Sequence, residues 1–465
     1  MKKIIFNVVC VFFFFTNRSF SQNITIDGAK QYQTIHSLGV NVNPQSWRDN
    51  PEPVKKLLDS LIAGMGCTSF RLMFDDSDWE GVNDNDDANS YNWKYYDSVY
   101  SSPRFTCIWD MIAYLNSRGI TDITLSPVGA APGWMGGTKL NPGVEQEYAE
   151  MMASMVFYGQ KRRKPAIHFS MISPINETGC FGIEAPVMTT TQLGTIFSTI
   201  ATHLINDDIA NVTLIGPDDC YNSFNIHALI ANEVTMSKIK YFGGHQYGNS
   251  TSRSEELIYA VKNSDYPDRG VIMTEANASC NGCDNGSYNS DYGFNNYAGP
   301  AYKYVLQHLN VGVAGIQLWE GYDSRWRHHD PNRNLAWSMW GIFAVDTVHP
   351  NVYYKRPHYG VFKQLYNFVK PGFKRIDITT TLPDMTVSAF YNPENGTIVI
   401  TGKNDSNKAQ AIDGILKNLS AITSLKYYYS DASHNYSKGP DIKVSNNSFS
   451  KNIPAFCVFT LISKQ

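Results

Sequence analysis

The chain has 465 residues, of which 43% are hydrophobic and 17% are charged. This balance is typical of a globular protein, and the length allows one large domain with a smaller one beside it. The formal net charge of −3 argues against nucleic acids and anionic membranes as partners. Aromatic residues make up 13% of the chain, which suits a surface that stacks on sugar rings but also a large aromatic core.

The N-terminal segment has the three parts of a secretory signal. Residues 1–3 contain two lysines, residues 4–15 are apolar but too short to span a membrane, and residues 19–21 offer small side chains for cleavage. We therefore predict a cleaved signal peptide over residues 1–21 and a secreted or periplasmic protein. No later stretch of the sequence predicts a membrane span.

Between residues 35 and 370, short apolar runs alternate with longer helical patterns. Eight runs read as strands buried on both faces, at residues 36–42, 68–74, 122–126, 167–173, 212–216, 241–245, 271–274 and 315–319. Helical patterns lie between them, at residues 53–65, 108–118, 144–160, 192–205, 255–262 and 297–309. Eight strands with crossover helices predict an α/β fold, a closed (β/α)₈ TIM barrel over residues 35–370.

The pattern changes after residue 370. Runs at residues 386–391, 397–402, 424–429 and 455–462 are separated by turn signals such as residues 392–396. We predict an antiparallel β-sandwich over residues 371–465, completed by an N-terminal strand within residues 22–34. The connection at residues 370–372 is short, which predicts that the two domains pack as a unit.

Seven cysteines remain if the signal peptide is removed. Cys280 and Cys283 have a spacing that allows either a small disulfide loop in an oxidising compartment or half of a zinc site. The disulfide is favoured because no second pair of cysteines or histidines with zinc spacing follows. The other cysteines are predicted to be buried apolar side chains.

Two glutamates follow predicted barrel strands. Glu177 comes shortly after the fourth strand, and Glu275 comes directly after the seventh. Active sites of these barrels collect at the carboxyl ends of the strands, and two carboxylates there can supply the acid/base and the nucleophile of glycoside hydrolysis. The alternative is a helix N-terminal charge for Glu177 and a surface loop position for Glu275.

Further strand ends carry motifs that resemble glycoside hydrolase family 30, in a clan of retaining (β/α)₈ glycosidases. In chain order they are Arg71 on strand two, Pro132-Gly-Trp134-Met135, Asn176-Glu177, His245-Gln-Tyr247 and Thr274-Glu275. The resemblance covers almost the whole chain after the signal peptide. It departs from the family pattern at Ser37-Leu-Gly39, Thr178 and Asp218-Asp219, which leaves the substrate open.

The resemblance implies a role for each matched residue. Glu177 is expected to be the acid/base and Glu275 the nucleophile, with Arg71 and Tyr247 orienting Glu275 and Asn176 binding the sugar 2-OH. His245, Trp134 and Trp319 are expected to contact substrate. The implied substrates are β-linked oligo- or polysaccharides such as β-1,6-galactan, β-1,6-glucan, xylan or β-glucosides. The expected enzyme is a monomer that needs no cofactor or metal, although calcium on residues 84–87 could be structural.

Other interpretations of these residues stay open. Trp134 and Trp319 could be core residues, His245 could satisfy a backbone group, and Arg71 could pair with Asp75 or Asp78. Further candidates for substrate contacts are Glu184, Glu320, Trp47, Trp79, Tyr322 and Trp326. Rival functions are a glycosidase of family 5 or 39 in the same clan, or a catalytically inactive sugar-binding protein on the same scaffold.

Overall fold

A computed structural model describes residues 22–75, 77–180, 184–220, 225–283, 292–328, 332 and 334–463. The predicted signal peptide lies outside these residues. No helix within the described ranges is long and apolar enough to cross a membrane. The two main sheets each contain nine strands.

One sheet is the predicted parallel barrel. The first strand of the chain, β1 (Ile24–Thr34), belongs to the other sheet. The barrel strands are β2 (Ser37–Val42), β3 (Ser69–Asp75), β4 (Ile123–Val128), β5 (Met171–Ile172), β6 (Thr213–Leu214), β7 (Pro217–Asp219), β8 (Tyr241–Tyr247), β9 (Gly270–Asn277) and β10 (Gly315–Leu318).

The barrel closes through its fifth position, which is divided into two short strands. β6 pairs with β5, and β7 pairs with β8, with Gly216 between them. Counting β6 and β7 together gives eight positions, which confirms the predicted (β/α)₈ architecture. The fourth strand is shorter than predicted and spans only Met171–Ile172, while the side chains of Ile167 and Phe169 lie beside Gly159.

Helices surround the barrel. They are α1 (Gln45–Asp49), α2 (Pro51–Asp59), α3 (Trp93–Tyr100), α4 (Pro103–Ser117), α5 (Glu145–Phe157), α6 (Thr190–Asn206), α7 (Asn225–Ile230), α8 (Glu233–Lys238), α9 (Ser252–Lys262), α10 (Gly299–Val311) and α11 (Pro357–Tyr366). Short π-helical turns extend α2 and α5, at Ser60–Met65 and Tyr158–Arg162. Another π-helical turn, Phe294–Ala298, leads into α10.

The sequence explains these helices locally. Proline in the first turn of α2 and α4 costs no hydrogen bond there. Thr189 and Gln192 form a reciprocal capping box at the start of α6. The helical pattern predicted over residues 144–160 contains α5, whose apolar residues, including Met151 and Met155, are buried against the core.

Two hairpins extend the segment after β10. β11 (Ser324–Trp326) pairs with β12 (Ala336–Ser338), and β13 (Phe343–Val345) pairs with β14 (Tyr353–Lys355). Together with the barrel loops they enclose a small apolar cluster that contains Trp319, Trp326 and Trp340.

The second sheet combines β1 with eight C-terminal strands. These are β15 (Lys374–Thr380), β16 (Met385–Tyr391), β17 (Ile398–Asn404), β18 (Gln410–Lys417), β19 (Ser424–Ser430), β20 (Ser437–Lys443), β21 (Ser448–Ile453) and β22 (Val458–Ser463). All nine strands contribute to one apolar core, as expected for a sheet folded over itself. The prediction of a purely antiparallel sandwich was wrong in one detail, because β1 pairs with β18 in parallel.

Candidate active site

Glu177 and Glu275 meet at the carboxyl end of the barrel. Glu275 lies near the end of β9, and Glu177 lies in the loop after β5. One carboxylate oxygen of each, together with a ring nitrogen of His245, lie within 4.8 Å of one another. Retaining glycosidases hold their two carboxyl groups about 5–5.5 Å apart, whereas inverting enzymes need about 6.5–9.5 Å. The spacing therefore fits the retaining geometry.

Arg71 lies beneath the two glutamates and is fully buried. Its Nη1 donates to Glu275 Oε1 at 2.6 Å, and its Nη2 donates to Asp218 Oδ2 at 3.1 Å. Further acceptors of the guanidinium are the side-chain oxygens of Asn41, Ser126 and Asn176. A planar guanidinium with this many acceptors fixes several strand ends at once.

The alternative partners of Arg71 are engaged elsewhere. Asp75 accepts from His328 Nδ1 at 2.6 Å. Asp78 accepts from Arg104 Nη2 at 2.7 Å. The interpretation of Arg71 as a structural partner of Asp75 or Asp78 is therefore wrong.

Glu275 is held in its ionised form. Its Oε1 faces Arg71, and its Oε2 accepts from the Tyr247 hydroxyl at 2.8 Å. Burial alone acts to raise the pKa of Glu275, but the positive charges of His245 and Arg71 outweigh it, so the pKa lies below its ordinary value. An ionised, oriented carboxylate is the state that a nucleophile requires.

Glu177 has the opposite tendency. Burial raises its pKa, the hydrogen bond from His245 opposes that change in part, and the negative charge of Glu275 adds to it. Its backbone has a left-handed conformation, with φ of 46°, and its N–H donates to the carbonyl of Asp218 at 2.9 Å. Two neighbouring carboxyl groups with pKa values moved apart are suited to separate acid and base roles.

One ring nitrogen of His245 lies close to both glutamates. Its Nδ1 lies 2.7 Å from Glu177 Oε1 and 3.8 Å from Glu275 Oε2, and its Nε2 lies 3.8 Å from Asp218 Oδ2. Burial acts to lower the pKa of His245, but the surrounding carboxylates, Glu275 first, raise it to about 10. His245 thus carries a positive charge within the site, and the interpretation as a residue that only satisfies a backbone group was wrong.

Asn176 connects the site to a further carboxyl group. Its Oδ1 accepts from Arg71, and its Nδ2 donates to Glu184 Oε2 at 3.1 Å. Burial raises the pKa of Glu184 to about 8, His328 opposes this, and Glu177 and Glu275 add to it. Glu184 therefore belongs to the site.

Glu320 lies apart from the two glutamates. It is buried, and its Oε2 accepts from Ser324 and from the indole of Trp326. The structure gives no support for Glu320 as a substrate contact.

The predicted aromatic contacts differ in how far they are exposed. Tyr247 lies at the rim, with 37% of its surface exposed and its ring 5.3 Å from that of Trp340. Trp134 is half-buried, and its Nε1 donates to the carbonyl of Glu80 at 2.8 Å. Trp319 is buried, with its ring 5.1 Å from that of Trp326.

The prediction that four further aromatic residues contact substrate was wrong. The four residues are buried in apolar clusters: Trp47, Trp79, Tyr322 and Trp326. Trp79, for example, packs edge-on against Phe105 at 5.4 Å. These rings fill the core, because a large aromatic side chain near a strand end can pack inward as readily as it can face a ligand.

The sequence interpretation missed Asp218 as a member of the site. It is fully buried, lies at the end of the fifth barrel position and accepts from Arg71, Ser173 and Thr274. The electrostatic attraction of Arg71 and His245 outweighs burial and holds its pKa well below the ordinary range. Its place after a barrel strand was the signal that could have identified it.

Two disulfides lie in loops at this end of the barrel. The predicted bond between Cys280 and Cys283 is present. A second bond joins Cys180 to Cys220, so the prediction that all other cysteines are unpaired was wrong for these two. Among the residues that the structure describes, three further cysteines are free and buried as predicted: Cys67, Cys107 and Cys457.

Known proteins resemble this chain over most of its length. No model of a protein family matches the sequence. A Caenorhabditis elegans protein described as a glucosylceramidase is 22% identical over 421 residues, which cover 81% of this chain and 75% of that protein.

Solved structures share the whole fold. A glycoside hydrolase family 30 subfamily 8 xylanase of Clostridium acetobutylicum superposes with a TM-score of 0.68 at 17% identity, over 96% of this chain and 100% of that one. An endo-β-1,6-glucanase superposes with a TM-score of 0.69 at 18% identity, over 95% of both chains. These comparisons confirm the resemblance to glycoside hydrolase family 30 that the strand-end motifs predicted, and the chain has the fold of that family.

Proposed function

We propose that this protein hydrolyses β-linked glycans with retention of anomeric configuration, using Glu275 as the nucleophile and Glu177 as the acid/base. The observation that supports this most directly is the pair of carboxyl groups, with oxygens within 4.8 Å and pKa values moved in opposite directions. This combination matches the needs of a double displacement.

In the first step, Glu275 attacks the anomeric carbon while protonated Glu177 donates its proton to the leaving glycosidic oxygen. The product is a glycosyl-enzyme, and Glu177 becomes an anion beside the charged His245. In the second step, Glu177 accepts a proton from water, which attacks the anomeric carbon and releases Glu275. Glu177 is then protonated again for the next turnover.

The neighbouring residues have distinct proposed tasks. Arg71 and Tyr247 each donate to one oxygen of Glu275 and so hold its carboxylate in a single orientation, ready to attack the substrate. Asn176 is held by Arg71 and is available to bind the sugar 2-OH, a contact that strengthens in the transition state. His245 is a positioning residue that acts through the two glutamates. Trp134 and Trp319 are proposed to shape the subsite at the scissile bond.

The sugar and the linkage that the enzyme cleaves are inferred from the relatives. The relatives are described as acting on glucosylceramide, xylan and β-1,6-glucan. We infer a β-linked glycan of this range, including β-1,6-galactan and β-glucosides. A panel of such polymers, read out by reducing ends and product length, identifies the linkage and distinguishes endo from exo cleavage. We further propose export through the signal peptide over residues 1–21 and action as a monomer; cell fractionation and sedimentation test these points.

Azide rescue tests the two glutamate roles. Glu177→Ala should still be glycosylated by an aryl glycoside with a good leaving group, but should lose about 10²–10⁴-fold activity on polymer. Azide should then attack the glycosyl-enzyme and give a β-azide. Glu275→Ala should lose activity on every substrate, and azide in place of the carboxylate should give an α-azide.

Glu184→Ala is the matched control, because Glu184 is a third carboxyl group beside the same two residues. Azide should not restore its activity. The assignment of roles is wrong if both variants yield the same azide anomer, or if either retains full activity on polymer. A sugar-binding protein without catalysis, the rival interpretation, would release no reducing ends from any polymer of the panel.

A further inference from the structure

A second group of carboxylates lies outside the catalytic site. Glu80 and Asp84 belong to the loop between β3 and α3, and Glu147 and Glu150 lie one turn apart on α5. One oxygen each from Glu80, Asp84 and Glu150 lie within 4.8 Å of one another. The side chains of Glu80 and Glu150 are fully buried.

Buried oxygens in this cluster lack a protein partner. Both carboxylate oxygens of Glu150 are buried without a hydrogen bond among the described residues, and so are Glu80 Oε1, Asp84 Oδ2 and Glu147 Oε2. The other oxygen of Glu80 accepts from the Tyr96 hydroxyl at 2.8 Å. Buried polar atoms are satisfied in nearly all native proteins, so five such oxygens in one place indicate a missing ligand.

The chemistry of the cluster identifies the ligand as a hard cation. Like charges this close repel each other strongly, and burial removes the water that would screen them. Calcium binds carboxylate oxygens at about 2.3–2.6 Å with six to eight ligands, so oxygens of one shell lie up to roughly 5 Å apart. Magnesium, with bonds of about 2.0–2.1 Å, brings its ligands closer together. We propose that Glu80, Asp84 and Glu150 bind one calcium ion, with Glu147 at its edge.

The unbound cluster is electrostatically costly. Oxygens of Glu80, Asp84 and Glu150 lie within 4.8 Å of one another, and the side chains of Glu80 and Glu150 are buried, so their negative charges repel where little water reaches them. A bound divalent cation offsets the repulsion between the carboxylates, because its positive charge attracts each of them. Two carboxylates from the loop and one or two from α5 would then share one ion, so the ion joins the loop to the helix.

The site has a structural connection to the proposed active site. The backbone carbonyl of Glu80 accepts from the indole of Trp134, the residue proposed above to shape the subsite at the scissile bond. The loop that carries Glu80 follows β3, the strand that carries Arg71. The calcium ion therefore acts as a structural element that holds Glu80, and through it Trp134, in place.

Calcium binding is tested with the full chain after treatment with EDTA. Isothermal titration calorimetry should show one calcium ion per chain, and the melting temperature should rise with the logarithm of the calcium concentration. Magnesium at the same concentration should give a smaller rise. An equal effect of magnesium would overturn the assignment to calcium, and the absence of both binding heat and a melting shift would overturn the site.

Glu150→Gln tests the location, because it removes charge with little change of shape. Its calcium affinity should fall at least about 10-fold, the smallest loss typical of changes around metal ligands. In EDTA, however, its melting temperature should equal or exceed that of the wild type, since repulsion is relieved. Weaker calcium binding together with an equal or higher melting temperature in EDTA distinguishes loss of a ligand from misfolding, which would lower the melting temperature under both conditions.

Glu145→Gln is the matched control on the same helix, because Glu145 accepts from Gly143 and Gln192 and lies outside the cluster. It should retain the calcium response of the wild type. Asp84→Asn, on the loop side, provides a second ligand variant if Glu150→Gln does not fold. Calcium affinity that is unchanged in both ligand variants would show that the ion binds elsewhere.

Discussion

Tyr247→Phe removes one hydrogen bond from the proposed nucleophile. In the native protein the Tyr247 hydroxyl donates to Glu275 Oε2 at 2.8 Å, and the phenylalanine ring can keep the contact with Trp340. A hydrogen bond to a charged group contributes about 1.5–3 kcal/mol. Because Tyr247 is partly exposed, we expect the lower end of this range. At about 1.4 kcal/mol per factor of ten, kcat/KM should fall roughly tenfold.

The same loss should appear in the pH profile. Without its donor, the Glu275 carboxylate is less stable, and its pKa should rise by about one unit. The acid limb of kcat/KM on an aryl β-glycoside should therefore move to higher pH, while the basic limb stays in place.

Tyr304→Phe is the matched control for this change. The Tyr304 hydroxyl donates to the backbone carbonyl of Gln246 at 2.6 Å, next to Tyr247 in the chain, and not to a carboxylate. It should lower stability without moving the acid limb. An acid limb of Tyr247→Phe that coincides with that of the wild type would refute the reasoning.

Three further predictions concern pH and stability. Activity should fall at low pH as Glu275 is protonated through its lowered pKa, and at high pH as Glu177 ionises through its raised pKa; a profile without the basic limb would contradict the acid role. Replacing Cys180 and Cys220 by serine opens a loop with a sequence separation of 40, and should lower the unfolding free energy by about 2–4 kcal/mol in urea denaturation. Burial lowers the pKa of His308 to about 3, against about 6.5 in the unfolded chain. The unfolded chain therefore binds a proton at His308 first as pH falls. The contribution of neutral His308 to the free energy of unfolding is present above pH 6.5 and is lost below it. Between pH 7 and pH 5 the free energy of unfolding of the wild type should fall by about 2 kcal/mol through this group. In urea denaturation at the two pH values, His308→Gln should show a smaller fall than the wild type.

The sequence predicted the barrel and both glutamates because their signals are local. β2 and β3 are buried along their whole length, so their apolar runs are continuous and easy to recognise. Glu275 lies near the end of such a run, and the parallel topology brings it to the edge where Glu177 also lies. β5 has only two paired residues, but the loop that follows it still places Glu177 at that edge.

The sheet domain was predicted less completely because its missing strands are polar. β18 alternates buried with exposed or half-buried residues, whereas β20 has a single buried residue, Ile442, and is otherwise exposed or half-buried. Such segments form strands through pairing with their neighbours, and the sequence alone carries only a weak signal for that. The parallel pairing of β1 with β18 likewise depends on contacts between residues far apart in the chain.

Tertiary contacts also decide which acids and aromatics enter a site. Asp218 and Asp219 are adjacent in sequence, yet Asp218 faces Arg71 whereas Asp219 accepts from Asn225 and lies 3.5 Å from Arg253. Glu147 and Glu150 have the spacing of a solvated helix face, but the loop after β3 covers Glu150. Pattern reasoning had no information about either arrangement.

The charges of the active site balance only when one carboxyl group is protonated. Arg71 and charged His245 supply two positive charges, against three carboxyl groups on Glu177, Asp218 and Glu275. Glu184, whose pKa is raised to about 8, is mostly neutral at pH 7 and is not counted. With one proton on Glu177 the five groups are neutral, which is the state required before the first step. The balance explains why Glu177, which lies farthest from Arg71 in the hydrogen-bond network, is the group whose pKa is raised.

Asp218→Asn tests this balance directly. Asp218 Oδ2 lies 3.8 Å from His245 Nε2, and at an effective dielectric constant of about 20 a unit charge at that distance is worth about 4 kcal/mol. Removing it should lower the pKa of His245 by up to roughly three units, and the pKa of Glu177 should fall as well, because the site loses a negative charge. The basic limb of kcat/KM should therefore move to lower pH by at least about one unit, the opposite of the change expected at the acid limb of Tyr247→Phe. Asp219→Asn, the same substitution one residue later, should move the limb less because Asp219 faces Arg253 instead. Equal shifts in the two variants, or a basic limb that moves upward in Asp218→Asn, would show that charge balance does not set the protonation of Glu177.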